Sequence, residues 1–260
     1  MNVCIIGGGM VGSAMQHIFP DALVYDIDTK KKTAGKDKIN KECDVSFICV
    51  PTNGTEDGSF DYKALEDTIK WINTPIIVIK STIQPGTTER LISKYHKNIV
   101  FNPEFLREQN RFQDVENESR ILIGTIDKST FEALRDLYLT VYDHDKVDIL
   151  QIPPKMAEYV KLVNNSYFAS KVTFCNEIKR IIENDNIDYE DFRRIWLLEP
   201  RIGKNHTLVT KEGGFGGYCL PKDIRALIDI ANNYDAKFLK NIWDRNCENR
   251  PFEFKDKEYK

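Results

Sequence analysis

Residues 213–223 read Gly213-Gly214-Phe215-Gly216-Gly217-Tyr218-Cys219-Leu220-Pro221-Lys222-Asp223. Four glycines in five positions free the backbone for a turn that approaches a ligand closely, and a thiol, a cation and a carboxylate follow at once. That is the layout of a nucleophile presented on a loop. Asp223, Ile224, Arg225, Ala226, Leu227 and Ile228 read as the first turns of a helix, which puts Cys219 near a helix N-terminus, where the dipole favours a thiolate. The competing reading is a buried structural cysteine in a Gly-rich turn. Upstream, Lys161 and Asn165 lie four residues apart and share one face of a long helical stretch, which is either a solvated surface or a pair of donors aimed at a ligand.

A second chemical pattern opens the chain. The apolar run Val3-Cys4-Ile5-Ile6 ends in Gly7-Gly8-Gly9-Met10-Val11-Gly12, and Ser13 to Phe19 continue as a helix. Gly7, Gly9 and Gly12 have the spacing of a dinucleotide turn, with Met10 and Val11 at the helix start where a pyrophosphate would lie. Ala22-Leu23-Val24-Tyr25 then delivers Asp26 about 20 residues on, where a carboxylate accepts hydrogen bonds from ribose hydroxyls and selects NAD over NADP. The run Lys30-Lys31-Lys32 offers the opposing reading, a grip on a 2'-phosphate, which the Asp26 charge would repel; as plain surface it is a solvated face.

The elements that must position these groups alternate. Val45 to Val50 form a near-continuous apolar strand ending at Pro51-Thr52, and Ile76 to Ile79 form another ending at Lys80-Ser81-Thr82 and the turn before Thr87-Thr88, whose hydroxyls would cap the next helix. Ile99 to Phe101, Ile121 to Gly124 and Val147 to Leu150 follow. Strands alternating with helical stretches describe an N-terminal Rossmann-type, doubly wound parallel α/β sheet over residues 1–150, with Val50, Pro51, Thr52, Ser81 and Thr82 at its carboxyl edge. From Pro154 to about Asn184 no glycine occurs and apolar residues recur at helical spacing, so residues 151–250 read as a smaller all-helical domain opened by one long helix. A helix from about Tyr189 to Leu198 and a last one from Asp223 to about Asn246 complete it, and 251–260 form a charged, loose tail.

Bulk properties fit an ordinary globular protein. The 260 residues are 41% hydrophobic and 30% charged, and the net charge of -3 gives no argument for nucleic acid or an anionic membrane. No apolar run approaches the ~20 residues of a membrane span and the N-terminal run is unlike a signal peptide, so a cytoplasmic location is expected. Six cysteines (Cys4, Cys43, Cys49, Cys175, Cys219, Cys247) show no CxxC pairing and no clustering with the four histidines. Reduced thiols and no metal are expected, with Cys4 and Cys49 in the core.

Six motifs in order resemble the UDP-glucose 6-dehydrogenases, within the wider family of UDP- and GDP-sugar dehydrogenases. They are Gly7-x-Gly9-x-x-Gly12; Phe47 to Thr52 with Asp57-Gly58-Ser59; Lys80-Ser81-Thr82 with Pro85-Gly86-Thr87; Asn102-Pro103-Glu104-Phe105-Leu106-Arg107-Glu108; Ala157-Glu158 with Lys161 and Asn165; and Gly214-Phe215-Gly216-Gly217-x-Cys219-x-Pro221-Lys222-Asp223. The resemblance implies NAD-dependent, four-electron oxidation of a primary alcohol to a carboxylate, with Cys219 carrying a thiohemiacetal and then a thioester. It implies that a water held by Asp223, Lys161 and Thr82 takes the first proton, or that Lys161 steadies the oxyanion; that Glu104 activates the hydrolytic water; that Asn165 joins Lys161; and that Glu108 and Lys31 lie along the cofactor. For the substrate it implies Glu104, Phe105, Leu106, Arg107 and Glu108, Arg201 reaching a sugar from a neighbouring subunit, and Leu208, Phe215 and Gly216 wrapping the nucleotide. Members normally carry a third, UDP-binding domain, so a short form is expected whose pocket a neighbouring subunit or separate chain completes. A homodimer through the long helix is expected. The alternatives are a dehydrogenase of UDP-N-acetylmannosamine, UDP-N-acetylglucosamine or GDP-mannose, a non-catalytic binding module, and a two-domain hydroxyacid dehydrogenase; the last two have no use for the glycine-flanked thiol.

Overall fold

The short apolar runs form strands because each is buried on both faces. In the computed structural model, which describes residues 1–231 and 234–250, β1 (Val3–Ile6), β3 (Val45–Ile48) and β4 (Ile76–Ile79) are buried at every position. Alternate residues serve opposite cores. Ile5, Phe47, Val78 and Val100 pack on one face of the sheet, and Ile6, Ile48, Ile77, Ile79 and Phe101 on the other. The tail 251–260 lies outside the described residues.

The chain divides into two compact units, 1–53 with 60–161, and 54–59 with 162–260. In the first, β1, α1 (Met10–Ile18), β2 (Leu23–Tyr25), α2 (Lys36–Glu42), β3, α3 (Lys63–Trp71), β4, α4 (Thr87–Tyr95), β5 (Ile99–Phe101), α5 (Arg111–Glu116), β6 (Arg120–Gly124), α6 (Lys128–Tyr138) and β7 (Asp148–Ile152) follow in order. The sheet order is β2-β1-β3-β4-β5-β6-β7, so the strand order reverses beside β1, where open α/β sheets bind their ligands. The α/β Rossmann-type expectation is met. One pair departs from it: β6 runs antiparallel to β5 through Phe101 and Gly124, and β7 is parallel to β6. A Cβ on Gly124 would lie 2.8 Å from the Phe101 carbonyl oxygen and 3.1 Å from Ala157 Cβ, so a glycine is needed where β6 ends against the start of α7.

Helix α7 (Pro154–Asn184) is the expected single long helix. The second unit continues with α8 (Tyr189–Trp196), α9 (Cys219–Ile230) and α10 (Lys237–Asn249), around a small core of Ala169, Phe215, Ile224 and Ile242. The one helix expected from Asp223 to Asn246 is two, α9 ending at Ile230 and α10 beginning at Lys237, with Asp235, a poor helix former, just before the second. Helix α9 also begins four residues sooner than expected, at Cys219. Pro221 is tolerated there because the N–H groups of a first turn have no intrahelical acceptor.

Candidate active site

The three glycines of the first turn do three different things. Gly7 has φ +96°, and a Cβ there would sit 2.8 Å from the Cys49 carbonyl oxygen; a Cβ on Gly12 would sit 1.8 Å from the Gly7 carbonyl oxygen; Gly9 faces open space. Thus Gly7 and Gly12 let the turn and α1 close on the sheet, and Gly9 leaves room for something to approach the N-terminus of α1, which has no side-chain cap. These residues fit a dinucleotide pyrophosphate, and α1 would supply the Met10 and Val11 N–H groups. Asp26, at the end of β2, accepts from Gly8 N at 2.5 Å and Asp28 N at 2.7 Å, with the Lys31 stem beside Gly8. At the tips of β3 and β4, Ser81 Oγ donates to the Val50 carbonyl at 2.5 Å and Thr52 Oγ1 to the Thr82 carbonyl at 2.7 Å, locking the edge that carries Pro51.

A buried ion pair lies in the same unit. Lys161 Nζ donates to Glu104 Oε1 and to the Glu104 carbonyl, both at 2.7 Å, with the two side chains 4% and 6% exposed. Leu106 N donates to Glu104 Oε2 at 2.7 Å. Burial alone would push the Glu104 carboxyl up, but the charge and hydrogen bond of Lys161, the Leu106 N–H and the more distant Lys80 hold it below its ordinary range. Two cations lie over the Phe105 ring, Arg120 at 4.7 Å and Lys161 at 5.6 Å from its centre. Arg107 is exposed and paired with Asp114, and Glu108 is exposed at the start of a 3-10 turn.

The hydroxyls of Thr87 and Thr88 do not cap α4 as expected. Its N-cap is Gly86 at φ 90°, and the caps come from α7: Glu158 accepts from Gly86 N at 2.5 Å, Thr88 N at 2.8 Å and Thr88 Oγ1 at 2.6 Å. Burial pushes this carboxyl up to about 7, with the three donors pulling the other way. Residue type alone gives Glu158 no role, although its position three residues before Lys161 and seven before Asn165 puts all three on one face of α7.

The thiol of the glycine motif lies in the second unit. Cys219 is half-buried at the first position of α9, following a turn in which Gly213, Gly214 and Gly217 all have positive φ. Asn165 Nδ2 donates to Asp223 Oδ2 at 2.5 Å, and Lys222 Nζ to Asp223 Oδ1 at 2.8 Å. The Lys222 and Asp223 side chains are 2% and 1% exposed. Asp223 is therefore gripped on both oxygens one turn after Cys219; the role of Lys222 as its counter-ion was not assigned from sequence. The 54–59 loop belongs to this unit, with Gly54 against the Lys222 stem and the Glu56 carbonyl accepting from Arg225. Arg201 is exposed and paired with Glu199, and Leu208 is 55% exposed. Phe215 is buried in the core, and Gly216 lies under the Arg250 guanidinium.

All six cysteines are free, with Cys4 buried and Cys49 half-buried against the core. Among the described residues no His, Cys, Asp or Glu cluster could hold a metal, and no helix is long and apolar enough to cross a membrane.

A glycine turn at the switch point of a mostly parallel sheet, followed by a helical unit on a long helix, defines a dinucleotide-binding α/β protein of the Rossmann type. Residues 27–142 match the NAD binding domain, and residues 155–248 the central domain, of the UDP-glucose/GDP-mannose dehydrogenase family. The chain is 32% identical over 286 residues to a UDP-glucose 6-dehydrogenase of Campylobacter jejuni, covering 95% of this chain and 72% of that one. It belongs to the UDP-glucose/GDP-mannose dehydrogenase family. A Bacillus subtilis relative, YtcA, is 32% identical over 271 residues, 87% of this chain and 62% of that protein, so the chain spans less than two thirds of that relative's length. A UDP-glucose dehydrogenase structure from Pyrobaculum islandicum superposes with a TM-score of 0.81 at 25% identity, over 94% of this chain and 67% of the other.

Proposed function

We propose that the protein oxidises the C6 primary alcohol of a nucleotide sugar, UDP-glucose, to the carboxylate, with NAD as the hydride acceptor. The observation that carries this reading is the half-buried Cys219 opening α9 behind a glycine turn, with the buried Asn165-Asp223-Lys222 chain one turn further on. A binding module has no chemical need for a thiol so placed. Bound NAD would accept one hydride in each of two rounds.

The chain's own residues then do the following. A water on Asp223, Lys161 and Thr82 takes the hydroxyl proton, or Lys161 steadies the developing oxyanion, as the alcohol becomes an aldehyde. Cys219 thiolate adds to the aldehyde carbon, and the resulting thiohemiacetal presents the second hydride, whose loss leaves a thioester. Glu104, kept ionised by Lys161, removes a proton from the water that cleaves the thioester and returns the thiolate. The sum is alcohol plus two NAD and one water to carboxylate plus two NADH and three protons. Arg201, exposed on its loop, would serve a neighbouring copy. The expected result with purified protein is two NADH per UDP-glucose consumed. A signal from UDP-N-acetylmannosamine, UDP-N-acetylglucosamine or GDP-mannose and none from UDP-glucose would move the substrate, and no NADH from any of them would leave a binding protein.

The exposed apolar residues Val163, Tyr167, Phe174 and Ile181 along α7 support a homodimer through this helix. Sedimentation at micromolar concentration should give twice the 30.1 kDa chain mass; a single 30.1 kDa species rules it out.

A further inference from the structure

The turn that presents the thiol is gripped by side chains from two helices. Gly213 and Gly214 have φ +65° and +61°, and a run of glycines has the largest conformational entropy to lose on ordering. Two asparagine side chains bond to it. Asn246 of α10, 1% exposed, accepts from Phe215 N at 2.6 Å and donates through Nδ2 to the Phe215 carbonyl at 3.1 Å. Its amide thus pairs with both backbone groups of one residue, as a neighbouring strand would. Asn176 of α7, 7% exposed, accepts from Gly214 N at 3.1 Å and is fixed by its own donation to the Val172 carbonyl at 2.8 Å. A Cβ on Gly214 would lie 2.4 Å from Asn246 Oδ1, so the glycine is required by the clasp itself. The Phe215 ring, beside Trp243 at 6.3 Å, anchors the same residue in the core.

We infer that Asn246, assisted by Asn176, is a positioning residue that clasps the glycine turn and so sets where Cys219 begins α9. The inference rests on the reading of Cys219 as the nucleophile. Both amide bonds are buried, so each is worth more intact than a surface bond, and removing one partner leaves the Phe215 N–H and carbonyl without theirs. The clasp acts through the backbone, four residues before the thiol.

The test compares Asn246→Ala, which deletes both bonds, with Asn246→Asp, which keeps the acceptor for Phe215 N but turns an acceptor toward the Phe215 carbonyl unless it is protonated. At pH 8 both variants should exchange the Gly214 and Phe215 amide hydrogens about 10-fold faster and lower kcat about 10-fold or more with KM for NAD unchanged. Measured at each pH as the ratio to the unaltered protein, so that the intrinsic fall of amide exchange with falling pH cancels, the excess exchange of Asn246→Asp should disappear toward pH 5 and that of Asn246→Ala should persist, because only a protonated carboxyl can donate to Phe215. A merely space-filling role would give the two variants the same pH profile, and that result, or exchange rates equal to those of the unaltered protein, overturns the inference. If Asn246→Ala does not fold, Asn176→Ala takes its place, with faster exchange expected at Gly214. Exchange reads the clasp without turnover: fast exchange in a protein whose Cys219→Ser variant keeps its activity would sink the thiol reading and leave the clasp standing.

Discussion

Replacing Cys219 by serine is expected to cut carboxylate formation by on the order of 10^3-fold or more, equivalent to about 4 kcal/mol of barrier, while NAD binding is unchanged. A hydroxyl keeps the shape of the thiol but is not ionised near neutral pH, so the covalent adduct that offers the second hydride does not form at a useful rate. The NADH yield per UDP-glucose should fall from two to one at most, because the first oxidation needs no nucleophile. That split is more informative than loss of activity alone. A yield of two with the serine protein would mean that the aldehyde is oxidised as its hydrate, and the covalent route would be wrong. The dinucleotide turn belongs to the other compact unit from Cys219, so NAD affinity reports on folding independently of the thiol.

The second large effect is expected at Lys161. Lys161→Met removes the cation from a pair whose side chains are 4% and 6% exposed, leaving Glu104 buried without its partner. Breaking such a pair costs about 3–5 kcal/mol of stability, far more than a surface ion pair is worth. The pH dependence separates this from simple loss of packing. In the unaltered protein Glu104 is held below its ordinary 4.5, so its contribution to stability is present above pH 4.5 and is lost as pH falls through the lowered value. In Lys161→Met, burial is left as the main influence and pushes the carboxyl above 4.5. The contribution is then present below pH 4.5 and lost as pH rises, so the dependence changes sign. The double variant Lys161→Met with Glu104→Gln should recover most of the stability and stay inactive, since a neutral amide needs no counter-ion and cannot accept a proton from water. Chemical denaturation of the four proteins at pH 4 and pH 8 reads the cycle; equal losses for the single and double variants at both values would show that the pair is not the source of the effect.

Local patterns made most of the architecture legible. The buried strands read as uninterrupted apolar runs because a parallel sheet covered on both faces tolerates nothing else. The glycine turn with Asp26, and the 31-residue helix from Pro154, depend on neighbours in sequence and needed no long-range information. The break between α9 and α10 was missed because apolar spacing continues across it and the signal lies in a few weak helix formers.

The order of the elements, the Rossmann-type sheet and the inventory of reactive side chains are thus written in residue type and in spacings of two, three or four. The pairings come from the folded chain: Lys161 with Glu104, Asn165 and Lys222 with Asp223, Glu158 with the start of α4, and Asn246 with Phe215. Except for Lys222 with Asp223, the partners are separated by 31 or more residues. Spacing along the chain sets which face a side chain occupies, and the polar group opposite it is supplied by whichever distant element the hydrophobic cores bring alongside.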